Sequence, residues 1–249
     1  MSPARTFSRY LAAVVVAISA APRPSGAQST SGAVLAKREP HHHLVYEDST
    51  IRVLRVRVPP HDTTLLHEHD PDYFWISLGP STLINVRLGT PDASVSSADR
   101  AFHYAVGPFA HIARNPGSAP FDNITVELLE PQTHVHNLCE AAVADMPLTC
   151  RSSPGAPAFF TGAAEHPAFA TSNLRVSLLT IAPGATLRPA KAASAMWVIA
   201  LDTVDTKRAL VVGGGPRWVG GTFRAAKGDS WTVRNAGSAG IQVIGVVKD

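Results

Sequence analysis

The chain has 249 residues, a formal net charge of +3, 45% hydrophobic residues and 16% charged residues. This composition excludes an intrinsically disordered protein, because such proteins have few apolar side chains and many charges. The 20 prolines and 18 glycines argue against a mainly helical protein and favour many short strands joined by tight turns.

The N-terminal segment 1–27 predicts a secretory signal peptide. It has a basic start, an apolar stretch from Leu11 to Ala21, and small residues that allow cleavage after Ala27. The apolar stretch is shorter than the roughly 20 residues of a membrane span. We therefore expect a secreted or periplasmic protein with no stable membrane span after cleavage, with an uncleaved anchor as the alternative. The segment holds three arginines and no acidic residue, so the mature chain is formally neutral and nothing in it indicates nucleic-acid binding.

The first clear strand pattern covers residues 51–58. Leu54, Val56 and Val58 alternate with two arginines, which predicts a strand with one apolar face. The run His41-His42-His43 stands at the start of the strand that leads into this one. We interpret these three histidines as surface residues.

The sequence His67-Glu68-His69 is the chemical centre of the chain. On a strand the two histidines project from the same face, so both imidazoles can reach one ion. His111 lies in a later predicted strand, after Gly107-Pro108. Neutral imidazole suits Fe, Zn, Mn or Ni, and three imidazoles leave coordination positions open for water or substrate. We predict a divalent metal ion on His67, His69 and His111, and the sequence does not choose among these metals.

At these residues the chain resembles the cupin superfamily. His67 and His69, with Gly79 after them, are similar to the first cupin motif, and His111 followed by Asn115 is similar to the second. The resemblance implies a jelly-roll barrel, also called a double-stranded β-helix, that encloses the metal. A centre made of three histidines is similar to those of some dioxygenases in this superfamily.

One departure from the cupin pattern concerns the glutamate ligand, which is Tyr73 here. Tyr73 has the same strand parity as His67 and His69, whereas Asp70 and Asp72 have the opposite parity and are expected to point away. Three roles stay open for Tyr73: a phenolic fourth ligand, a hydrogen-bond donor behind the ligands, or part of the wall. A cupin that has lost its metal would show the same change, and this is the rival interpretation.

Three further residues are predicted to line the pocket. Trp75 shares the parity of the ligands, and His103 lies on a predicted strand as wall or as a support for the ligands. His61 is expected at the mouth of the barrel, where it would move protons.

The two halves of the chain repeat one another. Residues 51–63 read against 174–186 as an apolar strand, a proline-centred turn and a restarting threonine, and 115–120 read against 235–240 as a matching turn. This order predicts an all-β protein of two cupin-like barrels in tandem. The metal-bearing domain covers 28–138 and the second domain covers 157–249, with a linker at 139–156.

The second domain is predicted to be a degenerate copy. The positions of the four site residues hold no histidine and no carboxylate there, and are instead Ala190, Ala192, Met196 and Trp231. We expect this barrel to serve in packing, in a homodimer, or as a wall of the first pocket. In the linker, Cys139 and Cys150 predict a disulfide, because an exported protein meets an oxidising compartment.

The sequence leaves the activity open. The leading hypothesis is an exported, metal-dependent oxygenase or isomerase that acts on a small anionic organic molecule, because three neutral ligands leave the ion's charge uncompensated. The alternative is a non-catalytic cupin that binds or senses a small molecule, with or without a metal. The fold does not decide between them, because one fold hosts many activities.

Overall fold

The computed structural model describes residues 32–150, 159–190, 193, 195–201, 209–215 and 218–248. The predicted signal peptide, residues 151–156 of the predicted linker, the first two residues of the predicted second domain and Ala192 lie outside these ranges. Within them, no helix has the length and apolar character needed to cross a bilayer.

Ten strands build the first barrel: β1 (Val34–Leu35), β2 (His42–Glu47), β3 (Ile51–Val58), β4 (His67–His69), β5 (Tyr73–Ser77), β6 (Ser81–Val86), β7 (Ala93–Ser97), β8 (Phe102–Ala105), β9 (Phe109–Arg114) and β10 (Phe121–Leu128). A 3-10 turn at Ala36–Arg38 separates the first two strands. The strands form two five-stranded sheets, with orders β1-β4-β9-β6-β7 and β2-β3-β10-β5-β8.

The remaining strands follow in the same pattern: β11 (His136–Asn137), β12 (Phe160–Thr161), β13 (Ala164–Ala170), β14 (Leu174–Ile181), β15 (Thr186–Pro189), β16 (Ala195–Ala200), β17 (Leu210–Gly214), β18 (Thr222–Ala226), β19 (Trp231–Asn235) and β20 (Ile241–Lys248). They form a six-stranded sheet, β11-β13-β14-β20-β16-β18, and a four-stranded sheet, β12-β15-β19-β17. The predicted all-β fold of two jelly-roll barrels in tandem is confirmed.

The sheet β2-β3-β10-β5-β8 of the first barrel packs face to face with the six-stranded sheet of the second barrel, and the two sheets share one hydrophobic core. Alternation along β10 explains this packing. Ile124 and Val126 face the second barrel, and the alternate residues Asn123 and Thr125 face the interior of the first barrel. Phe169 and Trp197 supply large side chains from the second barrel, and both are fully buried. The Trp197 indole N–H donates to Asp48 of the first barrel at 2.8 Å. The second barrel therefore packs against the face of the first barrel that lies opposite the histidine-bearing sheet.

The internal repeat extends to the register of the strands. The bridge between Thr63 and Arg114 in the first barrel has its counterpart in the pair Thr186 and Arg234 of the second. The first strand of the hairpins β2-β3 and β13-β14 also carries an irregularity at the same step, before Tyr46 in β2 and before Phe169 in β13. Both copies therefore use the same pairing scheme.

The asparagine of the second cupin motif serves the fold in both copies. The Asn115 side-chain N–H2 donates to backbone carbonyl oxygens of Val58, Pro59 and Ala119, and its carbonyl accepts from the backbone N–H of Gly117. Asn235 makes three of the equivalent bonds in the second barrel, to Ile181, Ala239 and Gly237. This asparagine therefore clamps a turn in each barrel, including the barrel without histidines at the site.

The second barrel has a cavity of about 350 Å³ where the first has its histidines. Three of the predicted equivalents, Ala190, Met196 and Trp231, line it. In the linker, Cys139 and Cys150 are joined by a disulfide. The short strand β11 precedes this disulfide and pairs with β13. The chain therefore joins the six-stranded sheet of the second barrel before the predicted linker begins.

Candidate metal centre

Four buried histidines come together inside the first barrel. His67 and His69 lie on β4, and His111 lies on β9 directly opposite His67 in the strand pairing. The fourth is His42, the first residue of β2, which is only 7% exposed. The interpretation of His42 as a surface residue is therefore wrong, whereas its neighbour His43 is exposed.

The rings of these histidines surround one point. The ring centroid of His67 lies 4.6 Å from that of His42, 5.2 Å from that of His69 and 4.4 Å from that of His111. Ligand atoms of His42, His67 and His69 all lie within 4.8 Å of one another. These three side chains could hold a metal ion, and His111 stands beside them.

Each of the four imidazoles has its Nδ1 engaged by an acceptor. The Nδ1 of His67 lies 2.9 Å from the backbone carbonyl oxygen of Leu65, and that of His111 lies 3.0 Å from the side-chain oxygen of Asn85. Because these oxygens only accept, each Nδ1 carries the proton. The lone pair of each ring is then on Nε2, as metal binding requires.

Two buried carboxylates engage the other two histidines. The Nδ1 of His69 lies 3.0 Å from Glu127, which also pairs with Arg52, and the Nδ1 of His42 lies 2.6 Å from Glu39. Burial alone would raise the pKa of Glu127, but its bonds to His69 and Arg52 hold the pKa below its usual value. Burial likewise opposes ionisation of Glu39, whose pKa is nevertheless lowered by His42 and by two backbone N–H groups. Both carboxylates are therefore ionised acceptors that orient an imidazole.

The Nε2 atoms of His67 and His111 are buried without a hydrogen-bond partner. A buried polar atom without a partner costs about 1–3 kcal/mol. A metal ion bound at these atoms would remove that cost. The donor set therefore fits a divalent transition metal, for which imidazole Nε2 is a common ligand.

The histidines are held in the neutral form that binds metals. Burial, followed by the neighbouring imidazoles of His42 and His69, lowers the pKa of His67 to about 3. Burial also lowers the pKa of His69 and brings that of His111 well below its usual value. These rings need not lose a proton at neutral pH before they bind an ion.

The fold is similar to those of solved structures, although no protein-family model and no curated protein matches the chain. AerE from Microcystis aeruginosa superposes with a TM-score of 0.59 at 15% identity, over 84% of this chain and 93% of AerE. The salicylate 1,2-dioxygenase of Pseudaminobacter salicylatoxidans gives 0.50 at 11% identity, over 81% and 72% of the two chains. A single-residue variant of Bacillus subtilis oxalate decarboxylase gives 0.50 at 11% identity, over 84% and 72%.

The chain has a bicupin fold. The predicted resemblance to the cupin superfamily is confirmed at this level. These identities are low, so the similarity concerns the fold, and the activities of these proteins are not carried over by it.

Tyr73 is part of the cavity wall beside His69. The two rings are stacked, with centroids 4.0 Å apart and an angle of 20° between their planes. Burial, together with the charge of Glu127, raises the pKa of Tyr73 well above its usual value. In the protein without a metal ion the phenol is therefore protonated. Tyr73 pairs with Glu127 across the strands, and the equivalent pair in the second barrel is Met196 with Val247.

A cavity of about 180 Å³ adjoins the four histidines. Trp75 and His103 line it, as does Tyr73. The rings of Trp75 and His103 are stacked with centroids 4.0 Å apart, and the Nε2 of His103 lies 2.9 Å from the hydroxyl of Ser97. Apart from the histidines, much of the lining is apolar or aromatic, including Val56, Leu83, Val95, Phe109, Ala113 and Phe121.

The structure does not bring His61 to this cavity. His61 lies in an exposed turn after β3 with a positive φ of 59° and is absent from the lining. The prediction of His61 as a pocket residue at the barrel mouth is therefore corrected. The proline-rich turn that holds it leads the chain away from the histidines before β4 begins.

Arg87 was not predicted and lies near His111 of the candidate metal centre. It follows β6, two residues after Asn85, and its guanidinium carbon is 4.6 Å from the ring centre of Phe109. Its charge acts on both Tyr73 and His111. Within the described ranges Arg87 has no carboxylate partner. Arg87 is exposed and does not itself line the cavity, but it lies over Phe109 of the cavity wall and is available to an anion there.

Proposed function

We propose that the first barrel is a divalent metal centre that binds and activates a small organic anion. The observation that carries this proposal is the set of buried imidazoles whose Nδ1 atoms are all engaged by acceptors, with two Nε2 atoms left buried and unpartnered at one cavity. Burying several imidazoles in this way destabilises the fold unless the free nitrogens gain a partner. A metal ion on His67, His69 and His111 provides that partner.

The ligands explain why the bound molecule would be anionic. A bound divalent ion acts as a Lewis acid that polarises an oxygen ligand of the substrate. Imidazole ligands contribute no negative charge, so the substrate would supply it. Arg87, held over the face of the cavity residue Phe109, adds a second positive charge next to the cavity wall.

The cavity walls limit the size and character of the anion. Trp75, Phe109 and Phe121 line a space of about 180 Å³, which limits the size of a bound molecule. Asn123 and Thr125 add polar groups on the β10 side. A small organic acid with an apolar or planar body fits this combination.

The names of two neighbouring structures support the same ligand class, since salicylate and oxalate are small carboxylates. We therefore propose oxygenation or isomerisation of such an acid as the reaction. The second candidate is a binding or sensing protein that holds the acid without converting it. Turnover of a bound acid by the metal-loaded protein separates the two.

Binding of benzoate by the metal-loaded protein is expected to weaken about tenfold or more in the Arg87→Ala variant. A hydrogen bond to a charged group contributes about 1.5–3 kcal/mol, which corresponds to at least tenfold in affinity. Quenching of tryptophan fluorescence measures the binding, because Trp75 lines the cavity.

Two controls accompany this titration. Arg114→Ala removes an exposed arginine that pairs with Asp92, and it should leave benzoate binding unchanged. Benzamide, the uncharged analogue of benzoate, should bind more weakly than benzoate to the wild type. Equal binding of benzoate and benzamide would contradict an anion site.

We also propose that the protein is exported to the periplasm or secreted. The disulfide between Cys139 and Cys150 supports this location, because disulfides persist in oxidising compartments. The signal-like segment 1–27 supports it independently.

A further inference from the structure

We propose that His42 is a further protein ligand of the metal, in addition to His67, His69 and His111. The inference rests on the metal centre of the proposed function and adds a ligand from β2, outside both histidine motifs of the sequence.

The distances between the ligand atoms of three histidines place His42 close to a shared metal position. A metal–imidazole nitrogen bond is about 2.1 Å long, so two ligand nitrogens on one ion are at most about 4.2 Å apart. The ligand atoms of His42, His67 and His69 already lie within 4.8 Å of one another. Small side-chain movements therefore bring all three nitrogens onto one ion.

The second step is the chemistry of the His42 ring. Its Nδ1 lies 2.6 Å from a carboxylate oxygen of Glu39, so the ring nitrogen left to bind a metal is Nε2. A carboxylate behind the imidazole fixes the tautomer and makes the ring a better donor. His69 has the same arrangement with Glu127. His42 thus has the support that a metal-binding histidine has, and a surface histidine would not need it.

The third step is the way in which Glu39 connects two strands. Besides His42, this buried carboxylate accepts from the backbone N–H groups of His41 at 2.8 Å and Leu65 at 3.2 Å. The carbonyl oxygen of Leu65 in turn accepts from the Nδ1 of His67. One carboxylate therefore orients His42 directly and His67 through the backbone, and it ties the start of β2 to the start of β4.

The fourth step is the comparison with the second barrel. His42 pairs with Val56, and the equivalent pair there is Glu165 with Leu179. Glu165 accepts hydrogen bonds from the hydroxyl of Ser177 and the backbone N–H of Phe159. The barrel fold therefore does not demand a histidine at this position. A histidine stands there in the barrel that also has the other three.

The test compares metal affinity and coordination in three variants of the full-length untagged protein. Zn²⁺ affinity is measured by competition with a chromophoric chelator, and the visible spectrum of the Co²⁺-loaded protein reports the ligand set. His42→Ala should weaken Zn²⁺ binding by at least about tenfold and change the Co²⁺ spectrum. Glu39→Gln should weaken binding by about 10–100-fold, the usual range for a partner behind a ligand. His43→Ala removes the exposed neighbour and should change neither.

The outcomes separate this inference from the proposed function. If the wild type binds no stoichiometric metal, the metal centre itself is wrong. If the wild type binds metal and His42→Ala leaves both affinity and spectrum unchanged, the centre stands and His42 is not a ligand. If His42→Ala does not fold, His42→Gln carries the same comparison, because it keeps a polar side chain of similar length.

Discussion

Metal content is expected to fall from one equivalent per chain to none when His67 and His111 are both replaced by alanine. These two residues face each other on β4 and β9, and their Nε2 atoms are the buried atoms that lack a partner. Loss of both leaves too few imidazoles to hold an ion against water. Elemental analysis of the untagged protein measures the content directly.

The thermal stability of the wild type can also be compared with that of the His67/His111 double variant. A ligand that binds only the folded state stabilises it by about 2.7 kcal/mol at a free concentration of 100 Kd. Added metal should therefore raise the Tm of the wild type and leave that of the double variant unchanged. The matched control is His134→Ala with His136→Ala, an exposed His-x-His pair outside the barrel interior. Stoichiometric metal that survives in the His67/His111 variant would show that the site is elsewhere.

Replacement of Trp197 by alanine is expected to lower the free energy of unfolding by about 3–5 kcal/mol, the usual cost of removing a buried tryptophan. Trp197 is fully buried in the core that both barrels share, and its indole bonds to Asp48. Because this core is common to both barrels, we expect them to unfold in one transition. Denaturant titration followed by circular dichroism measures the change.

Two controls distinguish packing from hydrogen bonding at this interface. Trp197→Phe keeps a large ring and removes the bond to Asp48, so a loss of about 1 kcal/mol is expected. Leu148→Ala changes a side chain that is 55% exposed and should be close to neutral. Two separate transitions in the wild type, with the first barrel insensitive to Trp197→Ala, would show that the barrels fold independently.

The general architecture was predictable because its signals are local. Alternation along residues 51–58 indicates a strand from nearest neighbours alone, and the fold bears it out in β3. The repeat was visible because both copies kept the same turns. The pairing of Thr63 with Arg114, and of Thr186 with Arg234, shows that these similarities in sequence reflect equal positions in space.

The carboxylates that orient the histidines of the candidate site, such as Glu127, were not predictable from motifs. Glu127 lies 58 residues from His69 in sequence and meets it only because β10 pairs with β5 and places its carboxylate inside the barrel. Strand parity offered a partial signal, since Glu127 alternates with the residues of β10 that face the second barrel. The sequence does not reveal which distant strands pair or in which register, so this parity could not identify His69 as the partner of Glu127.

His42 and His61 were misjudged for a related reason. Both were judged by their place in the chain, one beside other histidines and the other beside a strand end. The 3-10 turn before β2 and the bond to Glu39 bring His42 inward, whereas the turn after β3 leaves His61 in solvent. These directions depend on tertiary contacts that a strand pattern does not contain.

A crystal structure of the metal-loaded, untagged protein, recorded at the absorption edge of the added metal, tests the metal centre most directly. We expect one strong anomalous peak inside the first barrel, about 2.1 Å from the Nε2 atoms of His67, His69 and His111. A peak confined to exposed histidines such as His43 or His136, with the barrel interior empty, would contradict it.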